Sequence, residues 1–145
     1  MTSVLDGFPL LSELTNDERS TLEACLEARA LDMGSVLFHG GEEADALYFI
    51  VEGSIAVRSE GQSVGELNAG EVLGALSLVS VGVRECEASG ATSTRLLALT
   101  REGYLRLRAD LPALALRLQE AILRSFASLV RGVVGDSRAP STGVS

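Results

Sequence analysis

Three textures of apolar and polar positions divide this chain. Between about Ser12 and Ala28, Leu22, Cys25/Leu26 and Arg29 recur at helical spacing. Thr15 or Asn16 stands ready to cap, with Asp17 and Glu18 in the first turn, so the spacing predicts a helix entered from Phe8, Leu10 and Leu11. From Leu31 the apolar runs shorten. Ser35 to Phe38, Leu47 to Val51, Ile55 to Val57, Val64 to Leu67, Cys86 to Ala91 and Thr94 to Leu99 read as strands. His39 to Glu42, Glu52-Gly53 and the polar run from Ser59 to Gln62 read as turns, the last closing a hairpin. This makes about seven or eight short strands at close spacing with Gly-rich punctuation. That spacing favours a sandwich or barrel over alternating βαβ units.

Helical spacing returns at Arg101 and runs through Tyr104, Leu105 and Leu107. Asp110 is placed to cap a last helix, with Pro112 in its first turn and an end near Val133. At 100° per residue, Leu111, Ala115, Leu118, Ile122, Phe126, Leu129 and Val133 form one stripe, and Leu116, Leu123, Ala127, Val130 and Val134 form another. Together they are wider than the ~100° that one core contact requires. Either both stripes face one core, or one packs on the strands while the helix, through Leu118, Ile122, Phe126 and Leu129, meets a second subunit or a partner. The expectation is one domain over residues 1–134 and a disordered tail over 135–145.

Composition narrows the function classes. The 145 residues are 46% apolar and 22% charged, ordinary for a globular chain with a real core. No run approaches the roughly 18 apolar residues of a membrane span, and Asp6 and Glu13 sit where a signal peptide would be basic or apolar. Two cysteines, Cys25 and Cys86, make no disulfide framework and are expected as buried, reduced thiols in a cytoplasmic protein. There is no lysine. Residues 1–100 carry 16 acidic side chains against 5 arginines, whereas residues 101–145 carry 7 arginines against 4 acidic ones. An acidic body lacks the basic patch a nucleic-acid surface needs. His39 is the sole histidine, so neither a metal cluster nor a nucleophilic triad is expected; Glu42-Glu43 reads as a solvated turn, and the chain as no enzyme.

One stretch offers chemistry. Gly70 to Arg84 reads GEVLGALSLVSVGVR. Gly74 lets the backbone approach a ligand, the amides that follow it can turn together toward an anion, and Arg84 can supply a planar fork for phosphate oxygens.

Several motifs then stand in one order. They are GSVLF at Gly34 to Phe38, GEEAD at Gly41 to Asp45, LYFIVEG at Leu47 to Gly53, LNAGE at Leu67 to Glu71, and LLALT at Leu96 to Thr100. In that order the chain resembles the cyclic-nucleotide-binding domain family, from about Phe8 to Val130. The resemblance implies a mainly β fold, an eight-stranded β-roll or jelly-roll barrel with an N-terminal helix and two C-terminal helices. It also implies a regulatory role with a cyclic nucleotide of the cAMP or cGMP type as ligand and no other cofactor. Gly74 and the amides of Ala75 and Leu76 would line the phosphate site, Arg84 would pair with the phosphate, and Glu85 and Cys86 would stand where the family has small residues. Ala75 occupies the place of the glutamate that usually holds the ribose 2′-hydroxyl. Losing that acceptor costs roughly 1.5–3 kcal/mol, a tenfold to hundredfold weaker complex. Glu85 and Glu87 add negative charge beside the site, and either could pair with Arg84. Two functions follow as expectations: a stand-alone sensor that signals through its last helix to a twin subunit or an effector, or a ligand-free module of the same fold used for protein contact.

Overall fold

The computed structural model describes residues 3–42, 45–74 and 86–135, with side chains as far as residue 125. Its eight strands form two antiparallel sheets. The first sheet has the order β1 (Glu27–Leu31), β8 (Thr94–Thr100), β3 (Ala46–Glu52), β6 (Val72–Leu73). The second has the order β2 (Val36–Phe38), β7 (Glu87–Gly90), β4 (Ser54–Ser59), β5 (Gln62–Asn68). Three α-helices accompany them: α1 (Asn16–Glu23), α2 (Arg101–Asp110) and α3 (Pro112–Gly135). The mainly β roll with flanking helices is as expected. It is two facing sheets, each with its own edges, and not a closed barrel.

The two sheets differ in what covers them. In β3, Ala46, Tyr48 and Ile50 point into the roll, while Leu47 and Phe49 point at the helices. The same split divides β8, with Leu96 and Ala98 inward and Leu99 toward the helices. A strand buried on both faces reads as a continuous apolar run, which is why Ala46 to Ile50 shows no alternation. The second sheet covers only the roll interior, through Ile55, Val57 and Ala88, and its other face is wet. Each fully buried Leu or Phe contributes about 1.5–3 kcal/mol, so the double layer around β3 holds most of the apolar stabilisation.

At the N-terminus two short 3-10 helices, Val4–Gly7 and Pro9–Leu11, bring Leu5, Phe8 and Leu11 onto the helix-side core. Phe8 meets Phe49 of β3 edge to face, with centroids 5.3 Å apart. Thr15 caps α1, as one of the two expected residues, and Glu18 returns the bond to the Thr15 N–H at 2.8 Å. Arg19 closes the turn between these pieces. Its Nε donates to Asp6 at 2.7 Å, and Nη1 donates to the carbonyls of Leu11 (3.2 Å) and Leu14. Bonding to Arg19 and to the Ser3 N–H holds the Asp6 carboxyl below its usual range.

Four expectations need correction. The first helix ends at Glu23 and not near Ala28; Glu27–Leu31 is strand β1, paired with β8 from Glu27↔Ala98 to Leu31↔Thr94. Its sequence, EARAL, favours a helix locally, and the waiting edge of β8 overrides that propensity. Asp110 is the last residue of α2 and does not cap the final helix; Leu111, with φ −136° and ψ 67°, separates the two helices. Cys25 is exposed and Cys86 half-buried, though both are free thiols. Lastly, Leu118 and Ile122 are fully buried in the chain's own core, so they present nothing to a partner. Leu116 and Leu123, from the second stripe, are the side chains that face outward. The side chains of Phe126 and Leu129 lie outside the described residues, as does the tail from 136.

Between β3 and β4 the chain must turn where β8 begins. Gly53 does so at φ +92°, and a Cβ there would fall 2.7 Å from Thr94 Oγ1 and nearer still to the Ser93 carbonyl. That backbone cannot retreat, because Thr94 Oγ1 donates to the Ser54 carbonyl at 2.9 Å and Ala91 N–H donates to the same oxygen at 3.0 Å. Gly53→Ala is expected to cost about 2 kcal/mol or more in urea unfolding, while Gly7→Ala, with open space around it, stays within about 0.5 kcal/mol of wild type. Equal losses at the two positions would contradict this account of the turn.

Candidate ligand site at the end of the roll

The segment of interest is launched from the edge of the first sheet. Asn68 to Glu71 form a tight turn, with Glu71 N–H donating to the Asn68 carbonyl at 3.0 Å and Glu71 Oε1 accepting from Asn68 N–H at 2.8 Å. Gly70 N–H donates to the Ile50 carbonyl at 2.9 Å and Ile50 N–H donates to the Glu71 carbonyl at 3.0 Å, which starts β6 in register beside β3. Leu73 then pairs with Tyr48. Immediately after it, Gly74 takes φ +83°, a left-handed conformation that any side chain would strain. The strand therefore breaks at the residue from which the phosphate segment is expected to leave.

Ala75, Leu76, Arg84 and Glu85 lie outside the described residues. The chain is described again from Cys86, whose half-buried side chain packs against the roll interior ahead of β7. The described ends of the segment thus adjoin an edge strand of one sheet and an inner strand of the other. Gly74 and Cys86, the two expected site residues that are described, mark its ends.

Glu87 lies on the opposite side of β7 from Ala88, as strand alternation requires, and its Oε1 stands 3.2 Å from His39 Nδ1. Its described partner is thus on the outer surface. A recess on that surface is lined by Gly40, Arg58, Glu60, Gly61 and Glu87. Two carboxylates against one guanidinium make it a poor seat for an anion.

Inside the roll the structure places a group that sequence reasoning missed. Tyr48 is buried and stacks on Phe38 of the facing sheet, with centroids 6.3 Å apart. Arg29 reaches across from β1, its Nη1 donating to Tyr48 Oη at 3.3 Å and its guanidinium carbon 5.7 Å from the ring centroid. Tyr48 is the ladder partner of Leu73, which places its ring beside the residue that precedes Gly74. The alternation Glu27, Arg29, Leu31 could have revealed it, had β1 not been read as helix.

Among the described residues no three His, Cys, Asp or Glu side chains gather to hold a metal ion. No described helix is long and apolar enough to cross a membrane.

The sequence profile described as the cyclic nucleotide-binding domain matches residues 28–110, a span from β1 to the end of α2. A putative potassium channel protein from Rhodopseudomonas palustris is 32% identical over 136 residues, covering 92% of this chain and 31% of that protein. The cyclic AMP receptor protein of Thermus thermophilus is 30% identical over 125 residues, covering 83% of this chain and 58% of the relative. The chain therefore spans less than two thirds of either relative's length. Among solved structures, the N-terminal domain of a transcriptional regulator from Streptomyces coelicolor A3(2) superposes with a TM-score of 0.76 at 26% identity, covering 96% of this chain and 99% of that one. The Thermus thermophilus catabolite activator protein gives 0.69 at 30% identity, covering 88% and 63%. The profile spans every strand of the roll together with the break at Gly74, and this chain belongs to the cyclic nucleotide-binding domain family.

Proposed function

We propose that this chain is a regulatory, non-catalytic domain that binds a cyclic nucleotide of the cAMP or cGMP class at the end of its roll and passes the event through α3 to a second copy or an effector. One observation carries the reading. Strand β6 stops on a left-handed glycine at Gly74 and the chain is described again at Cys86, packed against the roll interior, and Ala75, Leu76 and Arg84 lie between these two points in the sequence. In an acidic body, Arg84 supplies the local positive charge a phosphate needs.

A specific observation favours the competing reading of a ligand-free scaffold: Ala75 stands where the family places its ribose-binding glutamate. Both readings leave α3 as the contact element. Its exposed leucines, Leu116 and Leu123, are seven residues apart and share one side of the helix.

Calorimetric titration with cAMP, cGMP and cyclic dinucleotides separates the two. The sensor reading expects saturable binding that falls tenfold to a hundredfold in Arg84→Ala, about 1.5–3 kcal/mol for a lost charged hydrogen bond. Ala75→Glu is expected to strengthen binding by a similar factor. No heat up to millimolar nucleotide, or an Arg84→Ala variant that binds as well as wild type, leaves the scaffold. Sedimentation tests the contact face: Leu116→Asp/Leu123→Asp is expected to abolish self-association, and an unaltered mass would remove that face from the account.

A further inference from the structure

Charge, as well as apolar burial, ties α3 to the N-terminal segment. Arg117 Nε stands 2.8 Å from Glu18 Oε2, and Arg117 Nη2 donates to the Glu13 carbonyl at 2.6 Å. Seven residues on, and so on the same side of the helix, Arg124 pairs with the Glu13 carboxylate. Glu13 and Glu18 are not free to wander. Glu13 sits in the turn that Arg19 closes through the Leu11 and Leu14 carbonyls. Glu18 is the reciprocal capping residue of α1; one carboxylate oxygen takes the Thr15 N–H while the other meets Arg117. Its carboxyl is held below the usual glutamate range, first by the Thr15 backbone bond and in smaller part by the Arg117 charge.

We propose that Glu13 and Glu18 form a charge latch that grips Arg124 and Arg117 and sets the seat of α3 on the body. This rests on the reading of α3 as the output element. The strength of the contacts suits a switch better than a weld. All four side chains are partly exposed, between 25% and 62%, so each pair is individually weak. Two arginines sharing Glu13 nevertheless fix a direction that one pair would not. Among the described residues these are the ion pairs that join α3 to the rest of the chain. Leu114, Leu118 and Ile122 remain buried beneath, so an open latch lets the helix shift on its apolar seat without detaching. A ligand can move such an equilibrium only by its difference in affinity for the two seats, and weakly held charges lie within that reach. Because Glu18 also caps α1, loosening α3 and fraying the start of α1 are one event.

Hydrogen exchange on the full chain tests the latch. In Arg117→Gln/Arg124→Gln, amides of residues 113–124 and 15–23 are expected to exchange about tenfold faster while those of β3 and β8 keep their wild-type rates. Raising salt to about 0.5 M is expected to do the same to wild type and to add little in the variant, since it screens the same charges. Glu13→Gln/Glu18→Gln should move the same amides in the same direction but by less, since the Arg117 bond to the Glu13 main-chain carbonyl survives it, and combining all four changes should add nothing to the arginine variant. Unchanged exchange in α3, or an equal rise in β3 and β8, overturns the latch, the second result meaning general loss of stability. Nucleotide titrated into the same samples keeps the two readings apart: a wild-type chain that binds none ends the sensor reading, while exchange decides the latch by itself.

Discussion

Strand β3 is buried on both faces, and the architecture follows from that constraint. Its inward residues Tyr48 and Ile50 belong to the roll interior, where a ligand would be felt, and its outward residues Leu47 and Phe49 belong to the core under the helices. Both layers therefore pack on one backbone. The Phe8–Phe49 contact carries that backbone's position to the N-terminal segment, and the buried face of α3 rests on the same core. A sheet with one wet face could not relate the two layers in this way. The second sheet, wet on its outer side, covers the roll interior, and its inner strand β7 follows directly on Cys86.

At the site, geometry and charge make separate demands. Geometry asks for a strand that stops sharply, and Gly74 provides it beside the Tyr48–Leu73 pair. Charge asks for a cation in a chain whose first hundred residues are strongly acidic. Arg84 is the cation on the segment, and Arg29, exposed on β1 and shared between Glu27 and Tyr48, is a second. Glu87 is turned to the outer surface beside His39, which keeps its charge on the far side of β7.

Which parts could be read beforehand depended on how local their cause is. Thr15 caps α1 because an oxygen three residues before an amide does so in any context. The hairpin from Ser54 to Asn68 was legible because Ser59 to Gln62 is a turn by its own composition. β1 was not, since Glu27 to Leu31 becomes a strand only because β8 lacks a neighbour there. The last helix showed the same limit. Periodicity found both apolar stripes, but whether Leu118 and Ile122 or Leu116 and Leu123 turn inward depends on where the N-terminal 3-10 helices sit, and no local pattern encodes that. Of the residues from Gly74 to Cys86 that the sequence singles out, only the two ends are described, whereas the Arg29–Tyr48 contact needed the sheet to be built first.

If a ligand is sensed beside Gly74, as proposed, the two-faced sheet is what links it to the helices. Amide chemical shifts recorded as cAMP or cGMP is added to the labelled chain test this most directly. The account predicts saturating shifts at Gly74, Cys86, Tyr48 and Leu73, accompanied by Phe49 and residues 114–124 of α3. Shifts confined to the outer hairpin around residues 58–62, or shifts at Gly74 with none beyond the roll interior, would contradict it.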